Sequence, residues 1–305
     1  MEWVDCNLCG SREAVELYPA RLPQAGAPGG AAHYRCTSPL YRQHHAIVRC
    51  SRCGLVYANP RPTPQEILQV YQDVEDPLYL QEEMGRLLTF RRHMQAVERV
   101  VGPPLEAGRL LDVGCYLGCF LQAAQEQGWE AWGVEPSHWA ATEAARRGLT
   151  VVEGTLAEVA FPAGLFDVVT LWDVAEHLLD PRAAFAEAWR VLRPGGWVVV
   201  HTMDVESWPA RLLGPYWPWW MEMHLYYFSP RTLERMLQEV GFTPVQRLHL
   251  ARYLRLGYLA SRLASFSSTL VKGLQWGLEG LGLAQVPMLI HAADLFTCFA
   301  QKEGM

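Results

Sequence analysis

Four of the eight cysteines form two Cys-x-x-Cys pairs in the first part of the chain. Cys6 and Cys9 stand in "CNLCG", and Cys50 and Cys53 stand in "CSRCG", so that a glycine follows each pair. Thiolates at this spacing can surround one tetrahedral zinc ion, and four of them leave no coordination position open for water. The pattern therefore predicts a structural zinc site within residues 1–60.

A redox-active pair is the alternative use of such a motif, but the duplicated pair with a following glycine favours a zinc ribbon. Cys36, His33, His44 and His45 lie between the two pairs and could replace a ligand. Metal-bound cysteines are typical of a reducing compartment. The first residues do not show the basic and then apolar pattern of a secretory signal. A cytoplasmic location is therefore expected.

A second motif that could do chemistry lies at 110–128, "LLDVGCYLGCFLQAAQEQG". Asp112 stands in the apolar run, and Gly114 and Gly118 follow before a helical pattern begins. The middle glycine of a dinucleotide-binding loop is absent, and so is the Gly-Lys-Ser/Thr of a phosphate-binding loop. Glu135 ends the next apolar run, where a carboxylate can accept hydrogen bonds from both hydroxyls of a ribose.

Alternating strand and helix patterns must position these motifs. A helix is expected from Pro64, capped by Thr63, and another over 82–101. Apolar strands at "RLLDVG", "EAWGVEP", "TVVEG", "FDVVTLWDV" and "WVVVHTM" then alternate with helices, which predicts a parallel sheet covered on both faces. One of these helices is expected to begin at Asp180 and to end at Pro194.

Together the motifs resemble class I S-adenosylmethionine-dependent methyltransferases, especially the bacterial family in which an N-terminal zinc ribbon precedes the catalytic domain. The resemblance is carried by "LLDVGCYLGCFL", "WGVEPS", "EGTLAEVAFPAGLFDVVTLWDVAEHLLDP", "RVLRPGGWVVV" and "HLYYFSPRTLERMLQEVGF". It implies an α/β fold with a Rossmann-like, mostly parallel sheet and an antiparallel last strand, and it implies S-adenosylmethionine as the methyl donor. The donor-binding positions that it implies are Asp112, Gly114, Cys115, Tyr116, Gly118, Glu135, Thr155, Leu156, Trp172 and Asp173.

By this resemblance the glycine loop holds the methionine end of the donor, Glu135 the ribose, and Thr155 and Leu156 the adenine. Two residues depart from the family pattern. Tyr116 occupies a position that is usually small, and Thr155 stands where many relatives carry an acid. We expect the Tyr116 ring to point away from the methionine end, toward the acceptor or the 82–101 helix. The alternative is a degenerate relative in which Tyr116 blocks the donor.

Candidate catalytic residues should lie beyond the carboxyl ends of the strands, where ligands of such sheets bind. "DVAEHLLDP" supplies Asp173, Glu176 and His177, and "MEMHLYYF" supplies His224. His177 and His224 are the first choices for a base, because histidine titrates nearest to neutral pH. His177 could instead have a packing role, and Glu176 with His177 could bind a divalent metal, as is thought for some related O-methyltransferases.

Two segments are candidates for the acceptor side. Residues 208–228 contain four of the twelve tryptophans. We expect this segment either to line an acceptor pocket or to form an apolar lid. Residues 251–293 are expected to form a helical insertion before the last strand at 294–305. The cations of the insertion are adjacent to Leu, Tyr and Trp residues. Three roles for the segment are therefore compatible with the sequence: a lid, a dimer contact, or contact with a membrane-held acceptor. These cations are Arg252, Arg255, Arg262 and Lys272.

The expected organisation is a zinc ribbon at 1–60, a helical linker at 61–107 and the donor-binding core at 108–250. The net charge of −6 argues against a general affinity for nucleic acid. A small-molecule acceptor is therefore expected, such as a sugar or glycan precursor or a secondary metabolite, methylated at oxygen or nitrogen more readily than at carbon. An RNA methyltransferase that uses the ribbon to hold RNA is the alternative.

Overall fold

The structure, a computed structural model, describes residues 1–22, 30–104, 108–262, 268–291 and 293–304. Strands and helices alternate through most of the chain. The strands are β1 (Ala14–Tyr18), β2 (Ile47–Cys50), β3 (Val56–Ala58), β4 (Arg109–Val113), β5 (Glu130–Glu135), β6 (Thr150–Glu153), β7 (Phe166–Trp172), β8 (Leu192–Met203), β9 (Tyr226–Tyr227), β10 (Phe242–Leu248), β11 (Arg252–Arg255), β12 (Pro287–Ile290) and β13 (Leu295–Lys302).

Several of the helices begin after a residue whose side chain caps them. Thr63, Ser137, Asp180 and Ser229 each accept a hydrogen bond from a backbone N–H of the first turn that follows. The helices are α1 (Pro64–Gln72), α2 (Pro77–Gln81), α3 (Glu83–Val101), α4 (Cys119–Glu126), α5 (His138–Arg146), α6 (Leu156–Val159), α7 (Pro181–Val191), α8 (Trp208–Leu213), α9 (Pro230–Val240), α10 (Leu256–Arg262) and α11 (Ser268–Gly280).

A seven-stranded sheet in the order β10-β13-β8-β7-β4-β5-β6 forms the centre of the molecule. The five strands from β8 to β6 are parallel to their neighbours, whereas β13 runs antiparallel to both β8 and β10. The predicted Rossmann-like sheet with an antiparallel last strand is therefore confirmed. The carboxyl ends of β4, β5, β7 and β8 lie at one edge, which is where the candidate residues gather.

One helix ends earlier than the sequence pattern predicted. Helix α7 ends at Val191 instead of Pro194, and Leu192 already has the extended backbone of β8. The reason lies in Pro194, which disfavours helical geometry at the residue before it. Leu192 then pairs with Phe166, so that β8 is longer than the strand expected from "WVVVHTM".

The cysteine-rich segment builds a second, antiparallel sheet in the order β1-β2-β3-β9. Its last strand, β9, comes from the second half of the chain, because Val56 and Tyr57 of β3 pair with Tyr227 and Tyr226. Residues of both sheets share one hydrophobic core, which includes Leu8 and Leu111. The cysteine-rich segment is therefore joined to the second half of the chain by hydrogen bonds to β9, and to the central sheet by apolar packing.

The segment expected to be a helical insertion contains two strands as well as helices. Strand β11 pairs with β12 in an antiparallel register that joins Arg252 to Ile290, and α10 and α11 lie between the two strands. Residues 263–267 and 292, and the side chains of the predicted cations Arg262 and Lys272, lie outside the described part of the chain. Among the described residues, no helix is both long and apolar enough to cross a membrane.

Candidate active site

A cavity of about 850 Å³ lies at the carboxyl ends of the central strands. This volume is in the upper part of the range for small-molecule sites, which is about 300–1,000 Å³. Nearly all of the residues predicted to bind the donor or to act in catalysis line this cavity. They are Asp112, Gly114, Cys115, Tyr116, Glu135, Thr155, Leu156, Trp172, Asp173, His177 and His224.

Gly118 is the predicted donor-binding residue that does not line the cavity. Its backbone is left-handed, with φ of +74°, and a β-carbon at this position would lie 2.2 Å from Cδ1 of Leu149 and 3.6 Å from Ala144. The glycine therefore permits the start of α4 to pack against α5 and the segment that follows it. Gly114, in contrast, does face the cavity, with φ of +67° and Val174 close beside it.

The glycine loop is closed by its own backbone hydrogen bonds. The N–H groups of Gly114 and Cys115 both donate to the carbonyl oxygen of Val134, at 2.8 and 3.3 Å. The N–H of Gly118 donates to the carbonyl oxygen of Cys115 at 2.9 Å. These three N–H groups are therefore engaged within the protein.

Asp112 and Glu135 place two carboxyl groups at neighbouring strand ends. Glu135 accepts hydrogen bonds from the N–H of Tyr116 at 2.9 Å and from the N–H of Ser137 at 2.8 Å, and Asp112 accepts one from the Thr170 hydroxyl at 2.6 Å. Burial raises the pKa of Glu135 to about 7 and the pKa of Asp112 to about 8, although these hydrogen bonds oppose the rise. Both groups are therefore available as acceptors that titrate near neutral pH.

The Tyr116 ring lies in an apolar cluster with Tyr79 and Leu117, and Phe90 of the 82–101 helix packs against the same cluster. Its backbone is left-handed, with φ of +50°. The ring meets Tyr79 of α2 edge to face, with centroids 4.5 Å apart, and lies 6.1 Å from the ring of Trp139. Tyr116 thus contacts the short helix that precedes the 82–101 helix.

The adenine-side residues have local structural roles as well. Thr155 caps α6, and its hydroxyl donates to the Glu158 carboxylate at 2.8 Å. Leu156 is buried, so it presents an apolar surface to the cavity. Trp172 is stacked on His93, with ring centroids 5.0 Å apart, and its indole N–H has no hydrogen-bond partner among the described residues.

Three acid-base groups converge on another part of the cavity wall. Side-chain atoms of Glu176, His177 and His224 that could bind a metal all lie within 4.8 Å of one another. The Nδ1 atom of His177 lies 2.9 Å from the carbonyl oxygen of Met223, and Nδ1 of His224 lies 2.7 Å from that of Trp219. A carbonyl oxygen only accepts, so each Nδ1 carries the proton and each Nε2 keeps a free lone pair.

Burial decides the charge state of this group. It lowers the pKa of His177 and holds the pKa of His224 well below its usual value, so both rings are neutral at neutral pH. It also raises the pKa of Glu176 to about 8, an effect that the nearby Asp173 strengthens. Two neutral imidazoles and a carboxyl could therefore take a proton from a bound hydroxyl or hold a divalent metal.

Asp173 lies at the end of β7, between this group and the donor residues. Its backbone is left-handed, with φ of +54°, and its side chain is half exposed. One carboxylate oxygen lies 3.8 Å from Nε2 of His201, a buried histidine of β8. The sequence pattern gave no role to His201, because it reads as part of an apolar strand.

Other parts of the cavity wall come from segments outside the donor-binding motifs. Tyr34, Cys36 and Tyr41, which lie between the two cysteine pairs, form part of this wall. Helix α3 contributes one face at helical spacing, and β11 contributes Arg252. The α3 residues are Arg86, Thr89, Phe90 and His93, whose spacing could have been recognised as one face of a helix. Tyr216 and Trp219 of the tryptophan-rich segment also line the cavity, whereas Trp217 and Trp220 are core residues.

The four cysteines of the two pairs lie together, away from this cavity. The sulfur of Cys6 is 3.4 Å from that of Cys53, and the sulfur of Cys9 is 3.5 Å from that of Cys50. Zinc–sulfur bonds of about 2.3 Å in a tetrahedron require sulfur atoms about 3.8 Å apart. The two turns are alike, because Gly10 donates to the carbonyl of Cys6 as Gly54 does to that of Cys50.

Comparison with known proteins gives one family. A family model described as a methyltransferase domain matches residues 81–247. The ubiquinone biosynthesis O-methyltransferase of Cereibacter sphaeroides (strain ATCC 17029) is 30% identical over 157 residues, which cover 47% of this chain and 64% of that protein. The protein of the same name from Caulobacter sp. (strain K31) is 36% identical over 111 residues, which cover 33% and 43%. The chain thus spans less than two thirds of the length of each relative.

Among solved structures, the fold resembles a chain from the complex of the Haloferax volcanii Trm112 methyltransferase activator with a candidate methyltransferase. The TM-score is 0.54 at 13% identity, and the match covers 77% of this chain and 98% of that chain. At this identity the likeness is one of fold.

Proposed function

Because the chain belongs to the methyltransferase-domain family, we propose that it transfers a methyl group from S-adenosylmethionine to a hydroxyl of a small, largely apolar molecule. One observation carries the proposal. The carboxyl groups at the ends of β4 and β5 share a cavity with the convergent group Glu176, His177 and His224. Donor binding and proton removal from an acceptor are therefore available in one enclosed space.

The residues at the strand ends fit S-adenosylmethionine. The donor has a sulfonium, an ammonium, ribose hydroxyls and one carboxylate but no phosphate, so its ammonium and ribose hydroxyls need hydrogen-bond acceptors. Glu135 would accept from the ribose and Asp112 from the methionine end, while Leu156 would lie against the adenine.

The acceptor is inferred from the part of the cavity wall beside His177 and His224, where Tyr71 and Trp219 lie. Aromatic rings of Tyr34 and Tyr216 also line the cavity, and flat apolar rings stack well on such surfaces. Of the two acceptor classes expected from the resemblance, this wall favours an aromatic secondary metabolite over a free sugar. The two relatives named above are O-methyltransferases of ubiquinone biosynthesis, which supports transfer to oxygen.

S-adenosylmethionine supplies a methyl group on a sulfonium, and the protein has to position a nucleophilic oxygen in line with it. His177 and His224 have free Nε2 atoms, so either can take the proton of the acceptor hydroxyl as the oxygen–methyl bond forms and the methyl–sulfur bond breaks, which would leave S-adenosylhomocysteine. The same three groups could instead hold a divalent metal that binds the hydroxyl and lowers its pKa. Asp173 would orient His201 and the donor from the end of β7.

The cysteine cluster is proposed to hold one structural zinc ion. Four thiolates fill the coordination shell, so the metal would take no part in the reaction. Its effect on the site would be indirect. The segment between the pairs supplies Tyr34, Cys36 and Tyr41 to the cavity, and zinc would fix both ends of that segment. A ribbon whose inner segment faces the cavity supports a small-molecule acceptor more than RNA.

Residues 251–293 are proposed to act as a lid. Arg252, Tyr253 and Tyr258 line the cavity, while Arg255 forms an ion pair with Glu82 that ties the segment to α3. The outer surface of the segment carries exposed apolar side chains, and contact with a membrane-held acceptor would use them. These exposed residues are Leu274, Trp276, Leu281, Leu283, Val286, Met288 and Leu289.

The experiment is a transfer assay with a panel of phenols, amines and sugars, read by mass spectrometry for addition of a methyl group. A methyl ether of a phenol is expected. Replacing His224 with asparagine should lower kcat/KM by roughly 10²–10⁴-fold. His138→Asn is the matched control, because His138 is an exposed histidine of α5 that does not line the cavity.

Chelation separates the two modes of proton removal. If activity is lost with a chelator and returns with a divalent metal, the three groups hold a metal; if activity is insensitive to chelation, a histidine is the base. Transfer confined to amines or sugars, or full activity of the His224 variant, would contradict the proposal.

A further inference from the structure

Arg86 is a cavity-lining cation that lacks a counter-ion among the described residues. It lies on the face of α3 that also carries Phe90 and His93, and its guanidinium sits 3.8 Å from the centroid of the Tyr79 ring. Its Nε atom is buried without a hydrogen-bond partner in the described chain. No described carboxylate lies within ion-pair distance of it. A guanidinium in such surroundings favours an anion strongly.

The acidic side chains nearest to Arg86 in sequence are already engaged elsewhere. Glu82 pairs with Arg255, and Glu83 pairs with Arg147 at 2.6 Å. Asp76 accepts hydrogen bonds from both the N–H and the hydroxyl of Thr37. The guanidinium of Arg86 is therefore available to pair with an anionic group of a ligand in the cavity.

The packing places Arg86 at the glycine-loop end of the cavity. Its guanidinium lies on Tyr79, and Tyr79 packs against Tyr116 of the loop. Its charge also acts on the thiol of Cys119, the first residue of α4, where it opposes the burial that raises the thiol pKa to about 11. Arg252, the cavity cation over Trp219, lies instead on the wall assigned to the acceptor.

We propose that Arg86 binds the carboxylate of the methionine portion of the donor. The inference rests on the proposed function, and it adds a residue outside the sequence motifs to the donor site. The planar guanidinium can donate two parallel hydrogen bonds to a carboxylate, a geometry that lysine cannot reproduce. The Tyr79 ring contacts the face of the guanidinium and would restrain its orientation, while the N–H groups at the guanidinium edge can still donate.

Two ligands that differ by this carboxylate provide the test. S-adenosylhomocysteine carries the amino-acid portion, whereas 5′-methylthioadenosine has the same adenosine and thioether without it. By calorimetry, Arg86→Gln should weaken S-adenosylhomocysteine binding by about ten- to a hundredfold, as expected for loss of a charge-assisted pair. Its affinity for 5′-methylthioadenosine should match that of the wild type.

Two further variants complete the design. Arg86→Lys keeps the positive charge but not the two parallel N–H donors of the guanidinium. It should therefore show an intermediate loss of affinity for S-adenosylhomocysteine and no loss for 5′-methylthioadenosine. Arg91→Gln is the matched control, since Arg91 is an α3 arginine outside the cavity that pairs with Glu126. It should bind both ligands as the wild type does.

Each other outcome overturns the inference. Unchanged S-adenosylhomocysteine affinity in Arg86→Gln would exclude the assignment, and a raised KM for the acceptor in that variant would assign Arg86 to an anion of the acceptor. Equal losses for both ligands would show a structural role. If the wild-type protein bound neither ligand, the proposed function itself would fail, which is a distinguishable result.

Discussion

Replacing Tyr116 with glycine should lower the stability of the protein but leave its affinity for S-adenosylhomocysteine within roughly threefold. The residue combines a strained backbone with a buried ring. Its φ of +50° lies in the left-handed region, and its side chain is buried in a cluster with Tyr79, Leu117, Cys119 and Ala140. In the proposed site its backbone N–H holds Glu135, and glycine preserves that N–H.

The magnitudes set the direction of the stability change. Loss of a buried aromatic side chain costs about 3–5 kcal/mol. Relief of the left-handed strain returns about 1–2 kcal/mol, and the greater freedom of glycine in the unfolded chain costs about 0.5–1 kcal/mol. The free energy of unfolding should therefore fall by about 1.5–5 kcal/mol, since the lost packing outweighs the relieved strain.

The assay pairs urea unfolding with calorimetry, and Tyr116→Phe is the control. The Tyr116 hydroxyl is buried without a hydrogen-bond partner in the described part of the chain, so its removal should be neutral or stabilising. A collapse of S-adenosylhomocysteine binding in a folded Tyr116→Gly variant would refute the reasoning, because it would show that the ring contacts the donor.

Two further predictions concern the metal and the ionisable groups. The purified protein should contain one zinc per chain. Cys9→Ser should lose the zinc and have a lower Tm, whereas Cys36→Ser should keep both the zinc and the Tm; a folded Cys9→Ser variant that retains zinc would contradict this. Affinity for S-adenosylhomocysteine should rise about tenfold between about pH 6 and about pH 8, because the Glu135 carboxyl, whose pKa burial raises to about 7, must lose its proton to accept from the ribose. The rise should be much smaller in Glu135→Gln, and an equal rise in that variant would assign the dependence to another group.

The sequence predicted the central sheet well because its signals are local. Apolar strands, the helix cap Thr63, and the positions of Asp112 and Glu135 at strand ends all follow from patterns within a few residues. Helix α7 ends before the predicted Pro194, because a proline disfavours helical geometry at the residue that precedes it.

The parts that the sequence did not predict depend on distant segments. The pairing of β3 with β9 joins Val56 to Tyr227, and no local periodicity encodes a partner so far along the chain. The role of Gly118 is similar, since its close neighbour is Leu149 on another element. Arg86 stands out only because it has no counter-ion among the described residues, and a sequence pattern does not show which charged side chains are paired in the fold.

Calorimetry of the wild-type protein with S-adenosylhomocysteine tests the central claim most directly, with Glu135→Ala measured beside it. We expect micromolar binding by the wild type and none detectable in the variant, since Glu135 both accepts from the ribose and holds the loop through the N–H of Tyr116. A wild-type protein that binds no donor analogue at millimolar concentration would contradict the account.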